Sequence, residues 1–434
     1  DVLKTSLREV LRSGSGDGTA VGRPAREMLL EELARLSPSL AVAAHAHLAA
    51  ADVAALPAAT GDAEDLYELR AALLRVTPLT AFVDGVFTVD ADGLVGGEAI
   101  GAVAGAALLV LPIPGGFAVL GPNDAGVTIE RPGALGLVGA GLGRLVCAGV
   151  KPRAAFGGVD ASSHVAVFSA RDVVAIARGV ADYAAERALD HAESRVQFPG
   201  LFRDVRGRDG IAKFGAVQAM LAGVETSRLV LDAMRGRSVH GATAAALATE
   251  LLGPGPRSIV YLAGQVLGGT AYSEEDPISR LFRDAASLGR RPFEARAAAR
   301  RHGRRQLKLV RGGAGKEGDV CVGLDLRPVS LAASPLDPPE WRPLLARVRA
   351  AFAGLNRASD LLDAASADAI AVDLGRLVLL VGGFELLLDA ARAERARSHP
   401  DPRLEAAVER LAERTAGRAE RLVRRQINPV VPLR

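Results

Sequence analysis

The chain has 434 residues, 53 Lys and Arg against 50 Asp and Glu, and a hydrophobic content of 49%. That much apolar sequence builds a sizeable core and excludes an intrinsically disordered chain, while the length predicts two or three domains. Cys147 and Cys321 are the only cysteines, which excludes a disulfide framework or a cysteine metal set.

In chain order, residues 24–56 read as helix: Glu27, Glu31 and Glu32 open it, and Leu33 through Leu48 supply apolar positions at helical spacing. Gly61-Asp62-Ala63-Glu64-Asp65 starts a further helix running through Leu66, Leu69, Leu73 and Leu74. Beyond Pro78 the pattern changes to short strands and turns. Val83, Val86, Phe87 and Val89 alternate with Asp-Gly turns, and Ala107 to Ile113, Gly116 to Leu120, Val127 to Ile129 and Leu135 to Val138 continue the style. From Asp172 to Ala192 the helical period returns, and helices dominate to about Ala286. A Gly-, Arg- and Pro-rich connector follows, then helices over Pro343 to Gly354, Ala358 to Arg397 and Leu404 to Gln426.

Several tempting motifs have plainer readings. Gly139-Ala140-Gly141-Leu142-Gly143 has its third glycine misplaced for a dinucleotide loop, and Val146 to Val150 reads as strand, so a β turn is expected. His45 and His47 fall two apart on a helix, on opposite sides, which argues against a metal pair. Asp160, Ser162 and His164 read as a polar loop. From Arg290 to Glu317 ten basic residues face two acidic ones, leaving 43 basic and 48 acidic residues elsewhere. Only Phe293 is aromatic there, so nucleic-acid stacking is not expected. The segment reads as a solvated linker or as a peripheral contact with an anionic membrane. Arg376 to Asp389 is apolar but too short to span a bilayer. With no signal-peptide pattern and no apolar run of about 18 residues, the expected location is the cytoplasm or the inner face of the membrane.

Two phrases name a family. The first is Arg195-Val196-Gln197-Phe198, followed by Phe214-Gly215-Ala216-Val217-Gln218-Ala219-Met220-Leu221-Ala222. The second is Gln265-Val266-Leu267-Gly268-Gly269, ahead of Arg283-Asp284-Ala285. Together they resemble the C-terminal helical domain of acyl-CoA dehydrogenases, with a layout similar to the very-long-chain branch. The resemblance implies an α+β fold of N-terminal helices over 1–78, a middle β domain over 79–160 and a four-helix bundle over 161–289. A connector over 290–340 and an extra helical domain over 341–434 complete it.

It also implies FAD shared between two subunits. Arg195, with Gln197 and Phe198, would meet the pyrophosphate, and Gln265, Gly268 and Gly269 would receive the adenosine end. A guanidinium matches the paired oxygens of a phosphate, and glycines let backbone N–H groups approach. The groups that hold a flavin in the chain's own cleft depart from the family pattern. Thr80-Ala81-Phe82-Val83-Asp84-Gly85 stands where the family has T-E-P-x-x-G-S-D, and Ala99 to Gly105 lacks the flavin-facing aromatic. The proton-abstracting carboxylate falls to Glu294, displaced and without the family's Gly-Thr; it reads either as that base or as a solvated glutamate.

The leading expectation is therefore a non-catalytic subunit that completes the FAD site of a homologous active subunit in trans. An active long-chain enzyme using Glu294, acting on acyl-CoA and passing electrons to an electron-transfer flavoprotein, is one alternative. A membrane-associated scaffold without flavin is another.

Overall fold

The computed structural model describes residues 23–56, 61–75, 79–102, 105–130, 136–197, 210–235, 241–253, 255–288, 295–311, 321–322, 324, 328–329, 331, 334–397 and 400–424. Its internal contacts divide into two units, Asp1–Tyr183 with Ser279–Phe293, and Ala184–Ile278 with Glu294–Arg434.

In the first unit the helix expected over 24–56 is two helices, α1 (Arg23–Leu36) and α2 (Pro38–Ala54). Ser37 is extended, and Pro38 takes the first helical turn, where its missing N–H costs nothing. Helix α3 (Ala63–Arg75) starts as expected, with Asp62 Oδ1 accepting the amides of Glu64 at 2.8 Å and Asp65 at 3.3 Å.

Eight strands follow: β1 (Leu79–Phe82), β2 (Gly85–Val89), β3 (Val95–Ala102), β4 (Ala106–Ile113), β5 (Gly116–Leu120), β6 (Val127–Glu130), β7 (Leu142–Val150) and β8 (Ala154–Gly157). One sheet has the order β1-β4-β5-β8, with β1 parallel to β4; the other, antiparallel, has the order β2-β3-β7-β6. Their apolar faces pool into one core that includes Val83, Phe87, Val95, Leu109, Leu120 and Leu145. The strand expected over Leu135 to Val138 is replaced, in its described part, by a 3-10 turn over Val138–Ala140. Leu137, at φ 53°, has left the extended region.

Helix α4 (Ala161–Ser194) begins eleven residues before the point where the sequence period showed it. Asp160 is the reason: its Oδ1 accepts the Ser163 amide at 3.0 Å, so Asp160, Ser162 and His164 form a helix start rather than a polar loop. Three helices converge on one ionic network. Buried Arg26 of α1 donates through Nε to both oxygens of Asp172 on α4, at 2.8 and 3.0 Å, and through Nη1 to Asp52 on α2. His45 Nδ1 lies 2.6 Å from Asp172. Burial would raise the Asp172 carboxyl, but the Arg26 charge and the hydrogen bonds from His45 and Arg26 hold it below the ordinary carboxylate range. Helix α8 (Pro277–Leu288) joins this unit from Ser279 onward.

The second unit holds the end of α4, α5 (Gly215–Met234), α6 (Gly241–Leu252) and α7 (Ile259–Leu267). It also holds α9 (Ala295–Arg311), the short pair β9 (Cys321–Val322) and β10 (Pro328–Val329), α10 (Trp341–Asp360), α11 (Ala364–Ala396) and α12 (Pro402–Leu422). Helix α9 lies inside the stretch expected as connector. Ala298, Ala299, His302, Gln306, Leu307 and Val310 are buried, while Arg296, Arg300, Arg301, Arg304, Arg305, Lys308 and Arg311 are exposed. Arginine-rich composition masked a helical period that was present. The helix crosses α11 at backbone contact: a Cβ on Gly303 would sit 1.8 Å from the Ala371 carbonyl, and one on Gly375 1.7 Å from that of Ala299. Arg376 to Asp389 is the buried middle of α11. Among the described residues no helix is long and apolar enough to cross a membrane.

Candidate functional site

Arg195 stands one residue beyond the C-terminus of α4, in the second unit. Its backbone is fixed from both sides: its N–H donates to His191 O at 2.8 Å, and its carbonyl accepts the Ile211 amide at 2.9 Å. Val196 forms an antiparallel bridge with Gly210. The Arg195 side chain is exposed, and among the described residues no carboxylate pairs with it. The neighbouring Arg187 is committed, its Nη2 2.8 Å from Asp276, whose Oδ1 also accepts the Ile278 amide at 2.9 Å. Burial, then the Arg187 and Arg195 charges, lower the His191 imidazole, so it is neutral beside a fixed cation near neutral pH. The C-terminal dipole of α4 favours positive charge at this point. A presented, unpaired guanidinium on a pinned backbone suits an incoming oxyanion. Gln197 follows, also exposed, while Phe198 lies outside the described residues.

Gln265 is exposed on the last turn of α7, and Gly268 closes that helix at φ 60° and ψ −132°, which an L side chain resists. Gly268 and Gly269 are exposed, with open space where a Cβ would point. Their backbone is thus free to approach a ligand closely. Arg195 and Gln265 stand on separate elements of this unit, and among the described residues no hydrogen bond joins them.

In the first unit the residues that the resemblance aligns with a flavin cleft are used by the core. Thr80, Ala81, Phe82 and Val83 are buried, and β1 runs beside β4 with Thr80 opposite Leu108 and Phe82 opposite Val110. The Thr80 amide donates to His47 Nδ1 at 3.1 Å, and the Val83 amide to Val110 O at 3.0 Å. His47 passes its other ring nitrogen to Leu73 O at 3.1 Å; burial keeps it neutral. The two histidines of α2 thus serve different partners. On β3, Ala99 is buried and Gly101 lies against Val83, so no aromatic side chain stands at either position. The only tryptophan, Trp341, is buried on α10 under Arg395, 5.6 Å from its ring centre.

Glu294 lies outside the described residues. Two carboxyls have surroundings that the sequence does not show: Asp172 in the ionic network and Asp284 of the Arg-Asp-Ala phrase. Asp284 is buried, its Oδ1 accepts the Leu137 amide, and its Oδ2 has no partner among the described residues. Burial raises its pKa against that hydrogen bond and the Arg280 and Arg283 charges. Directly after Arg283, it reads in sequence as an ordinary ion-paired acid. Among the described residues no cluster of metal-binding side chains occurs.

Set beside known structures, this geometry is the acyl-CoA dehydrogenase fold. A crystal structure of an acyl-CoA dehydrogenase complexed with FAD from Bacillus anthracis superposes with a TM-score of 0.71 at 14% identity, covering 100% of this chain and 83% of that one. Butyryl-CoA dehydrogenase from Megasphaera elsdenii superposes with a TM-score of 0.50 at 19% identity, covering 66% of this chain and 84% of that one. By sequence, the chain is 31% identical over 190 residues to the 3-sulfinopropanoyl-CoA desulfinase of Paraburkholderia xenovorans (strain LB400), covering 39% of this chain. The match spans 45% of that relative, a little under half its length. No family model matches the chain.

Proposed function

We propose that this chain is an acyl-CoA dehydrogenase-like subunit that grips the phosphate and adenosine end of an FAD whose reactive ring lies in a homologous, active subunit. The observation that carries this reading is the contrast between two sets of groups. Arg195 is presented on a pinned backbone with no carboxylate partner among the described residues, and the open glycines Gly268 and Gly269 belong to the same unit. Thr80 and Val83, where the flavin ring of this chain's own cleft would be held, have committed their amides to His47 and Val110. FAD would supply the two-electron chemistry, on an acyl-CoA thioester bound by the partner subunit. An electron-transfer flavoprotein would take the electrons.

The test is to count FAD by native mass spectrometry in the chain alone and in the chain co-expressed with a homologous dehydrogenase subunit. FAD is expected only in the mixed assembly, and Arg195→Glu is expected to empty it there. One FAD held by the chain alone and bleached by an acyl-CoA overturns the reading in favour of an active enzyme with Glu294 as base.

The seven exposed cations of α9 support a second property of the same subunit, peripheral contact with an anionic membrane surface. Each basic residue near such a surface contributes about 1 kcal/mol. Co-sedimentation with anionic vesicles, abolished by Arg300→Glu with Arg301→Glu, is the expected result; co-sedimentation unchanged in that variant refutes it.

A further inference from the structure

Four arginines gather where α5, α6, α11 and α12 meet in the second unit, and they outnumber their carboxylates. Glu250, in the last turn of α6, receives Arg418 of α12 at 2.5 Å and Arg376 of α11 at 3.6 Å. Arg376 also faces Asp373, 3.7 Å away on its own helix. Arg414 stands one turn before Arg418 on α12, and its only hydrogen bond among the described residues is to the hydroxyl of buried Ser227 on α5, at 3.5 Å. Arg257 precedes Ser258, the residue that caps α7 by accepting the Tyr261 amide, and it too has no carboxylate partner among the described residues.

The surplus charge leaves a trace on Arg414. Burial lowers its pKa to about 10, the Arg418 and Arg257 charges press the same way, and Glu250 opposes them. A half-buried guanidinium among other arginines gains from a partner anion, and one long bond to a hydroxyl does not supply one. An oxyanion meets the need. A phosphate offers paired oxygens to the guanidinium fork, its charge offsets the excess, and the N-terminus of α7 adds a favourable dipole beside Arg257.

We propose that this junction binds a phosphate group, with Arg414 as its inner donor and Arg257 and Arg418 beside it. The site is separate from Gln265, Gly268 and Gly269, which stand at the opposite end of α7, and it does not depend on the role proposed above.

Inorganic phosphate, and ADP in a parallel series, are titrated calorimetrically against the full chain in chloride of matched ionic strength. Saturable one-site binding is expected. Arg414→Gln should weaken it about tenfold or more, as for loss of a charged hydrogen bond. Arg257→Gln, at an exposed position, should weaken it about threefold. Binding of phosphate alone identifies a free anion as the ligand, and binding of ADP identifies a nucleotide phosphate. No saturable heat with either, or unchanged affinity in both variants, overturns the proposal. If Arg414→Gln does not fold, Arg257→Gln decides alone.

Discussion

Replacing Arg26 with Gln removes the cation that three helices share. Asp52 and Asp172 are both fully buried, and Arg26 reaches both. Deleting one partner of a buried ion pair costs about 3–5 kcal/mol, because the remaining charge is stranded. Here two carboxylates lose a shared cation, and His45 Nδ1 stays 2.6 Å from Asp172, so a cost within that range is expected. Against a typical domain stability of about 5–15 kcal/mol, the first unit would become marginal. The pH dependence should also change sign. In the parent, Asp172 titrates below its unfolded value, so its contribution is present above about pH 4 and is lost as pH falls through the folded pKa. Without Arg26 the burial of Asp172 dominates and raises its carboxyl. The variant's deficit should then be largest near neutrality and shrink as acid protonates Asp172. Urea unfolding followed by far-UV circular dichroism from pH 4 to 8 measures the deficit, and amide exchange in α1 and α2 localises it. A loss under about 1 kcal/mol, or a deficit that grows toward acid, would refute the reasoning.

The helix crossing gives a paired prediction. Gly303→Ala drives a Cβ into the Ala371 carbonyl, backbone that cannot swing aside, and overpacking of about 1–3 kcal/mol should outweigh a helix-propensity gain of about 1 kcal/mol. Gly354→Ala on α10 meets open space and should stabilise by up to about 1 kcal/mol; equal signs in chemical denaturation would contradict this account. Asp337 accepts Arg392 Nε at 2.7 Å and the Ser334 amide at 2.7 Å. Burial would raise its carboxyl, but those bonds and the Arg392 charge keep it low. Asp337→Asn should cost about 1.5–3 kcal/mol at neutral pH and remove part of the acid-side loss of stability, read from melting curves at several pH values. Asp284 is the reverse case. With its pKa raised by burial, it favours the folded state below the unfolded value and disfavours it as pH rises. Asp284→Asn keeps an acceptor for the Leu137 amide and should melt at or above the parent temperature at pH 8, and a clear drop there would count against it.

What was legible in the sequence was whatever depends on local period or cap chemistry. Asp62 announced α3, and the apolar alternation announced β2, β4 and β5, because both signals lie within a few residues of the element they set. What was hidden depends on partners distant in sequence. Asp172 reads as an ordinary surface acid on a helix until Arg26, 146 residues earlier, is packed beside it. Arg300 to Arg311 read as linker because their cations mask the buried Ala299, His302, Gln306 and Val310 between them. Thr80 to Val83 could be seen to lack flavin-binding side chains. That their amides are also spoken for required the register with β4 and the position of His47.

The arginines themselves sharpen the distinction between structure and site. Arg178 pairs with Glu31, Arg187 with Asp276, Arg228 with Glu225 and Asp232, Arg304 with Asp368, and Arg392 with Asp337. These cations neutralise carboxylates, and each would be satisfied with no ligand present. Arg195 differs in two ways at once: its backbone is held by hydrogen bonds to His191 and Ile211, and its side chain is exposed without a carboxylate partner among the described residues. Pinning a main chain restricts where a side chain can reach, which lowers the ordering cost of any ligand that side chain meets. Arg414 differs in another way: it is half-buried among other arginines, and among the described residues no carboxylate pairs with it. Both are incomplete as they stand, and an anion would complete either. Under the two proposals made above, these arginines stand apart from a background of structural ion pairs: Arg195 as an exposed cation for a large ligand that brings its own surface, and Arg414 as a half-buried one for a small group that fits between helices.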